Sequence, residues 1–195
     1  DGLTKVFCWY LGEIVYKITK REQENVDVNV YRYYHESSEY SKEVRNQMKN
    51  PNLPLMINNI CSFKPRIDLI VKLVIDCVLE GRKILLLSDR KNHLGILKEE
   101  FDNYKLKHPD FGVEFTSGYY LGGMKQEQLE KTEKDTIILG TFAMASEGFD
   151  CREPLDTIVL ASPKSNIEQA VGRILRQEAK DRKFVPLVID IVEIG

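Results

Sequence analysis

The stretch PRIDLIVKLVIDCVLEGRKILLL, residues 65–87, decides the fold class of this chain. From Ile67 onward its apolar residues recur at i, i+3, i+4, i+7, i+8 and i+11, which predicts a helix over residues 65–80. A proline stands in the first turn of that helix and Gly81 at its end, which are the usual boundary signals. A nearly continuous apolar run follows over residues 83–87 and predicts a strand that is buried on both faces.

The same alternation of helices and short apolar strands continues toward the end of the chain. We predict helices around residues 94–101, 125–131 and 166–175, and strands near residues 113–116, 136–139, 157–160 and 185–191. Repeated strand–helix units form a parallel sheet that helices cover on both faces, with right-handed crossovers. The sequence therefore predicts an α/β fold with a mainly parallel sheet, whose ligands bind beyond the carboxyl ends of the strands.

The part of the chain before residue 65 is less regular. Residues 1–20 have the pattern of a short amphipathic helix, and residues 26–30 alternate valine with polar residues as a strand does. Residues 40–48 carry apolar side chains on one helical face and are predicted to be a helix that ends before two prolines. We expect the whole stretch 35–64 to be an insertion or a lid.

Composition and charge narrow the class of protein. The chain has 195 residues, of which 43% are hydrophobic and 30% are charged, and this excludes disordered, collagen-like and coiled-coil proteins. Its 28 basic and 30 acidic residues give a net charge of -2, so any contact with nucleic acid has to come from locally placed groups. The longest apolar stretch, residues 67–79, contains charged residues and is too short to span a bilayer, so no membrane segment is expected.

Three features of the sequence concern the redox compartment of the protein, metal binding and whether the chain is a fragment. The cysteines are far apart and are expected to be reduced and buried, as in an intracellular protein; they are Cys8, Cys61, Cys77 and Cys151. The three histidines have no ligand partners at a usable spacing, so no metal site is expected; they are His35, His93 and His108. The chain begins at Asp1 without a methionine or a signal pattern, and we expect it to be a fragment of a longer protein.

Two predicted strand ends carry polar residues that a core does not need. Ser88-Asp89-Arg90 follows one strand, where a hydroxyl and a helix start suit a phosphate, although the same residues would also serve as an N-cap. Gly140 and Thr141 follow another strand, and the segment closes at Gly148 and Asp150. The glycines permit close backbone approach and the carboxylate suits a ribose, but a structural turn with an Asx cap uses the same residue types.

The predicted helix from Asn166 to Arg176 has two unlike faces. Its apolar face consists of Ile167, Ala170, Val171, Ile174 and Leu175. The opposite face carries Gln169, Gly172, Arg173 and Arg176. Paired guanidiniums suit a polyphosphate because each one binds phosphate oxygens with two parallel hydrogen bonds, whereas the alternative is a surface helix with solvated arginines.

Taken in order, these segments resemble the second RecA-like domain of superfamily 2 helicases and translocases, the group related to the DEAD and DEAH boxes. Residues 84–90 resemble motif IV, residues 141–150 resemble motif V, and Gln169-x-x-Gly172-Arg173-x-x-Arg176 resembles motif VI. Residues 120–124, Tyr-Leu-Gly-Gly-Met, are similar to a glycine-containing turn that the family places against a backbone phosphate. The resemblance covers residues 65–192. The opening residues are similar to helicases of large DNA viruses and their phage relatives.

The resemblance implies a role for each matched residue. Arg173 and Arg176 would act as arginine fingers on the ATP γ-phosphate, and Gln169 would help to place the attacking water or the phosphate. Asp150 would meet the ribose or an adjacent group, and the other nucleotide-binding positions would be Gly148 and Gly172. The residues implied to hold the nucleic-acid backbone are Ser88, Arg90, Gly122, Gly123 and Thr141.

Half of an ATP-binding site is missing from the sequence. No glycine precedes a lysine, so there is no Gly-x-x-x-x-Gly-Lys phosphate loop, and there is no Asp-Glu pair for Mg²⁺. We therefore expect ATP and Mg²⁺ to be bound mainly by a preceding RecA-like domain of the same protein. Residues 1–20 would be the tail of that domain or a linker, and residues 21–195 would form the second RecA-like domain.

Two classes of function remain open at this point. The first is the motor domain of an ATP-dependent helicase that binds nucleic acid without reading its sequence, with DNA expected rather than RNA. The second is a non-catalytic RecA-like binding or scaffolding module. The motor is favoured because a scaffold needs no arginines opposite its packing face. In either case the location is expected to be intracellular, in the cytoplasm, the nucleus or a virion, and this chain alone is expected to lack ATPase activity.

Overall fold

One six-stranded sheet organises the described part of the chain. The computed structural model describes residues 26–40, 43–147, 151, 154–165, 167, 171–172 and 183–194. The described strands are β1 (Asp27–Tyr33), β2 (Ile84–Leu87), β3 (Ser117–Tyr120), β4 (Ile137–Gly140), β5 (Thr157–Leu160) and β6 (Leu187–Glu193). Their spatial order is β1-β6-β5-β2-β4-β3, and every neighbouring pair is parallel.

Helices cover both faces of this sheet. The described helices are α1 (Leu53–Ser62), α2 (Lys64–Leu79), α3 (Lys91–Lys107), α4 (Gln126–Thr132) and α5 (Phe142–Glu147). On one face, α2 and α3 bury their apolar side chains against alternate strand residues such as Ile84 and Leu86. On the other face, side chains of α5 pack against Leu85 and Leu87. The three layers confirm the predicted α/β class with a parallel sheet.

Helix α2 agrees closely with the helix predicted over residues 65–80. Ile70 and Val74 of its apolar stripe have no exposed surface. Burying a large aliphatic side chain in this way stabilises the fold by roughly 1.5–3 kcal/mol. The helix ends where Gly81 adopts a φ of 81°, a left-handed conformation that glycine accepts without strain.

The predicted strand at residues 113–116 is wrong in position, since β3 begins at Ser117. Thr116 and Thr136 exchange hydrogen bonds through their side-chain hydroxyls, each hydroxyl accepting from the other residue's backbone N–H at 3.3 Å. The ladder of backbone pairs therefore starts one residue later, at Ser117 opposite Ile137. Gly118 lies inside β3, where its low strand propensity conceals the strand from a sequence pattern.

The predicted helix at residues 40–48 is also wrong, because the described residues 43–52 form no helix. Arg45 instead makes a β-bridge with Pro51, and Met48 is 83% exposed. The side chain of Asn46 accepts hydrogen bonds from the backbone N–H groups of Met48 and Asn50, which satisfies locally the groups that a helix would use. Pro54 stands in the first turn of α1 and thus helps to start a helix rather than to break one.

The other predicted elements on described residues coincide with observed ones in position, although helix α3 (Lys91–Lys107) extends beyond the predicted residues 94–101 at both ends. The segment 1–20 and most of the predicted helix 166–175 lie outside the described residues. Cys61 and Cys77 are buried free thiols, and burial raises the pKa of Cys77 to about 11, so this thiol is neutral near pH 7. None of the helices that the structure describes has the length and apolar character needed to cross a bilayer.

Candidate functional site

The carboxyl edge of the sheet brings the predicted site segments together. Leu87 at the end of β2 is level with Gly140 of β4 and with Leu160 of β5, and Tyr120 of β3 is also level with Gly140. The residues that follow these strands are therefore neighbours at one edge. They include Ser88, Leu121, Thr141 and Ala161.

Ser88 has no exposed surface at this edge. Its hydroxyl lies 3.1 Å from Nδ1 of His93 and accepts a hydrogen bond of 3.1 Å from the backbone N–H of Arg90. Both contacts hold the loop before α3, but the N-cap interpretation of this segment is wrong, because the N-cap residue is Arg90 and no side chain of the segment caps the helix. The exposed polar side chains near Ser88 are those of Lys91 and Asn92, the first two residues of α3.

His93 is the buried partner of Ser88, a contact that no sequence pattern indicates. Burial, and to a lesser extent the nearby guanidinium of Arg66, lowers the pKa of His93 to about 3. The imidazole is therefore neutral at physiological pH and does not supply a positive charge for a phosphate. Its role at this edge is to hold the loop after β2.

Arg90 is partly exposed and is oriented by a residue from α1. Its Nε donates a hydrogen bond of 2.5 Å to Oδ1 of Asn58. The segment 53–62 therefore packs beside a predicted nucleic-acid contact and helps to orient it. The sequence pattern did not single out Asn58, because the two residues are far apart in the chain.

The glycine turn after β3 is exposed. The N–H of Met124 donates to the carbonyl of Leu121 at 3.3 Å, which closes the turn. Gly123 has a φ of 87°, and a Cβ added there would meet no atom within 4 Å. A Cβ on Gly122 would only touch Sδ of Met144 at an ordinary 3.7 Å. The turn thus needs glycine for its conformation at 123, and it leaves open space beside its backbone.

Thr141 caps α5 while keeping part of its surface exposed. Its hydroxyl accepts a hydrogen bond of 3.4 Å from the N–H of Met144. Before it, a Cβ on Gly140 would approach the carbonyl oxygen of Tyr120 at 3.4 Å, so the strand end is closely packed. The two later members of this predicted segment, Gly148 and Asp150, lie outside the described residues.

The loop after β2 is joined to the loop after β5. The backbone N–H of Asp89 donates to the hydroxyl of Ser162 at 3.0 Å, and its carboxylate pairs with Nζ of Lys164 at 3.0 Å. Both charged side chains are about one-third exposed, so the ion pair contributes little stability by itself. The ion pair instead fixes the position of one loop relative to the other, because it connects the predicted motif IV to the residues that lead into the predicted motif VI.

The segment 166–176, which we call the arginine segment, is described at three residues only. The side chains of Ile167 and Val171 pack against the buried cluster that contains Leu85 and Leu160, and the N–H of Val171 donates to the carbonyl of Ile167 at 2.9 Å. Gly172 is exposed, and a Cβ there would meet no atom within 4 Å. These three residues lie on the faces that the periodicity predicts. Gln169, Arg173 and Arg176 lie outside the described residues.

Metal ligation has no support in the described part of the chain. No group of three or more His, Cys, Asp or Glu side chains there is arranged to hold a metal ion.

The chain resembles a viral helicase in sequence, although no family model matches it. It is 36% identical over 196 residues to a protein of Acanthamoeba polyphaga mimivirus that is named as a predicted ATP-dependent RNA helicase. The match covers 100% of this chain and 36% of the mimivirus protein. The chain thus corresponds to about a third of that relative.

Solved structures match the fold. T4 UvsW has a TM-score of 0.59 at 20% identity, covering 86% of this chain and 32% of that one. Domain 2 of the DEAD-box helicase Mss116p, solved bound to an RNA duplex, has a TM-score of 0.52 at 12% identity, covering 86% and 54%. These likenesses confirm the predicted RecA-like arrangement of the three layers. The chain therefore has a RecA-like α/β fold, and its sequence is similar to about a third of a viral protein that is named as an ATP-dependent RNA helicase.

Proposed function

We propose that this chain is the second motor domain of an ATP-dependent helicase or translocase. The observation that carries the proposal is the convergence at one sheet edge of the loop after β2, the glycine turn, Thr141 and the entry to the arginine segment. In such a motor, nucleic acid and ATP act on the same rigid domain. The sequence similarity over the whole chain to a protein named as an ATP-dependent helicase supports this assignment.

The nucleic-acid partner would be bound through its phosphate backbone. Arg90 offers a charged group, the turn at Gly122 and Gly123 offers exposed backbone, and Thr141 offers a partly exposed hydroxyl. Such contacts position a strand without reading its bases. Because Ser88 is buried, we assign it the indirect role of holding the loop that carries Arg90.

The expected preference for DNA is not supported by the comparisons, because the mimivirus relative is named as an RNA helicase. We therefore propose nucleic acid as the partner and leave the choice between the two polymers to experiment. Fluorescence anisotropy with matched single strands of RNA and DNA, at equal length and salt, measures that choice directly.

On the nucleotide side, the arginine segment fits a polyphosphate. Ile167 and Val171 pack against the core, whereas a Cβ at Gly172 would meet no atom within 4 Å, and this supports an accessible position for the polar face of the predicted helix. Arg173 and Arg176 would bind the γ-phosphate, Gln169 would orient the water, and Gly148, Asp150 and Gly172 would lie nearby. ATP with Mg²⁺ would be bound mainly by the preceding RecA-like domain that we propose for the parent protein, and it would supply the phosphoryl group transferred to water.

The fingers would act mainly in the transition state, where negative charge develops on the transferred phosphoryl group. Arginine is suited to this because it remains charged and binds two oxygens at once. Loss of either finger should therefore lower turnover far more than it weakens nucleotide binding.

The test uses the parent protein with its upstream RecA-like domain. Arg173→Ala and Arg176→Ala should each lower the nucleic-acid-stimulated kcat by about 10³-fold or more, since removal of an arginine finger costs roughly 10³–10⁵ in rate. Arg45→Ala is the matched control, because Arg45 is exposed and pairs with Glu43 of its own loop. Wild-type kcat in both finger variants would support the scaffolding alternative instead.

A second measurement concerns this chain alone. Without a phosphate loop and Mg²⁺ ligands it should show no ATP hydrolysis above buffer. Turnover that Arg173→Ala abolishes would contradict the division of the ATP site between two domains.

We also propose an intracellular location for the parent protein. The buried thiols Cys61 and Cys77 are in keeping with a protein that works in a reducing intracellular compartment. Fractionation of cells that express the parent protein would test this.

A further inference from the structure

Arg66 is a buried arginine that the proposed contacts do not yet explain. It lies in the first turn of α2 and has no exposed surface. Its Nε donates to Oε1 of Glu193 at 2.7 Å, and its Nη1 donates to the carbonyl oxygen of Ala161 at 2.7 Å. One guanidinium thus joins the carboxyl ends of β5 and β6.

Stability alone does not account for an arginine at this position. Removing a guanidinium from water is costly, and burial lowers the pKa of Arg66 from its usual value. The compensation is incomplete, because Nη2 of Arg66, Oε2 of Glu193 and the hydroxyl of Tyr33 are buried without a hydrogen-bond partner among the described residues. Apolar side chains in place of both Arg66 and Glu193 would often stabilise a core equally well or better, whereas removing Arg66 alone leaves the Glu193 carboxylate without its ion-pair partner.

The bond to Ala161 acts at the exit of β5. The N–H of Ala161 donates to the carbonyl of Leu87 at 2.8 Å, which extends the strand pairing by one residue. Ala161 itself packs in the cluster beneath α2 and α3, whereas Ile167 and Val171 pack on the opposite face of the sheet. The direction in which the chain leaves Ala161 therefore determines where the arginine segment begins.

We propose that Arg66 is a positioning residue that fixes the exit of β5 and, through it, the placement of Arg173 and Arg176 against the nucleotide. The proposal rests on the function inferred above for those two arginines. Arg66 does not touch the nucleotide in this account. It acts through the backbone carbonyl of Ala161, with Glu193 holding the guanidinium in place.

The opposite edge of the sheet provides a matched control. Arg82 joins the amino-terminal sides of the same two strands, since its Nη1 donates to the carbonyl of Val185 at 3.1 Å and lies 3.4 Å from the hydroxyl of Thr157. It also lies 3.7 Å from the carboxylate of Asp156. Arg82 resembles Arg66 in chemistry but is remote from the exit of β5.

The experiment compares both arginines in the parent protein. Arg66→Met, Arg66→Lys, Arg82→Met and Arg82→Lys are measured for thermal midpoint, KM for ATP and nucleic-acid-stimulated kcat. Both Met variants should lower the midpoint. Only the Arg66 variants should lower kcat, by about 10- to 100-fold for Met, because a displacement near 1 Å costs on the order of 100-fold. Lysine retains the charge but not both bonds, so Arg66→Lys should fall between wild type and Arg66→Met.

A combined variant separates positioning from general damage. If Arg66 acts through the fingers, adding Arg66→Met to a variant that already carries both Arg173→Ala and Arg176→Ala should change kcat very little, since coupled residues are not additive. Wild-type kcat in Arg66→Lys, or equal losses in the Arg66 and Arg82 variants, would overturn the proposal. If Arg66→Met does not fold, the comparison of Arg66→Lys with Arg82→Lys tests the positioning role in the same way.

Different kinetic results would refute the motor function and the positioning role of Arg66. Wild-type kcat in both Arg173→Ala and Arg176→Ala would refute the proposed function. A large loss in those variants, together with Arg66 variants that behave like the Arg82 variants, would refute only the positioning role.

Discussion

The buried hydroxyl of Ser88 provides a sharp test of how the loop after β2 works. Ser88→Ala removes the acceptor of the Arg90 N–H and leaves the neutral, buried imidazole of His93 without its hydrogen-bond partner. Leaving a buried polar group unsatisfied costs about 1–3 kcal/mol. For a chain of this size each kcal/mol lowers the thermal midpoint by roughly 2–4 °C, so the variant should melt several degrees below wild type.

The assay pairs thermal unfolding of this chain with nucleic-acid binding measured by anisotropy at low temperature, where both proteins are folded. Ser62→Ala is the matched control, because the Ser62 hydroxyl is exposed and donates only to the carbonyl of Asn59. Its effect should stay within about 0.5 kcal/mol. If Ser88→Ala melts like wild type yet binds nucleic acid as weakly as Arg90→Ala, the hydroxyl contacts phosphate directly and the assignment of an indirect role is refuted.

Three further predictions concern the same edge of the sheet. Burial lowers the pKa of His93 to about 3, so the unfolded chain binds a proton at higher pH than the folded chain does. The free energy of unfolding should therefore decrease as the pH falls below about 6.5, and in His93→Gln it should decrease less between pH 7 and pH 5. Equal decreases for both proteins, measured by urea denaturation at each pH, would contradict this. Gly123→Ala should destabilise the chain by about 1–2 kcal/mol because its φ of 87° is strained for alanine while no atom obstructs the methyl group; Gly172→Ala, measured by the same denaturation, is the unstrained comparison. Arg90→Ala should weaken binding of every sequence similarly and reduce the salt-dependence slope by about one, whereas an unchanged slope would remove Arg90 from the phosphate contacts.

The sequence alone determined the elements whose signal is local. The periodicity from Ile67 onward predicts α2 almost to the residue, because an amphipathic helix records its buried face in its own spacing. The apolar runs of β2 and β5 predict buried parallel strands for the same reason. The order of the polar segments at strand ends was also sufficient to indicate the RecA-like helicase resemblance.

Local patterns failed where other parts of the chain decide the conformation. The start of β3 depends on the hydroxyl pairing of Thr116 with Thr136, which no pattern within residues 113–120 records. The turn around Asn46 depends on side-chain hydrogen bonds that compete with helix formation at an otherwise helix-compatible spacing.

Only the tertiary structure revealed which polar residues are buried and what they hold. Ser88 was a candidate phosphate contact in the sequence, whereas the fold encloses it with His93. Arg66 has no local sequence signal that sets it apart, yet it reaches Ala161 and Glu193 because β5 and β6 are neighbours in the sheet. Contacts between residues so distant in the chain arise from the order of the strands, and the strand order is a property of the folded sheet as a whole rather than of any segment within it.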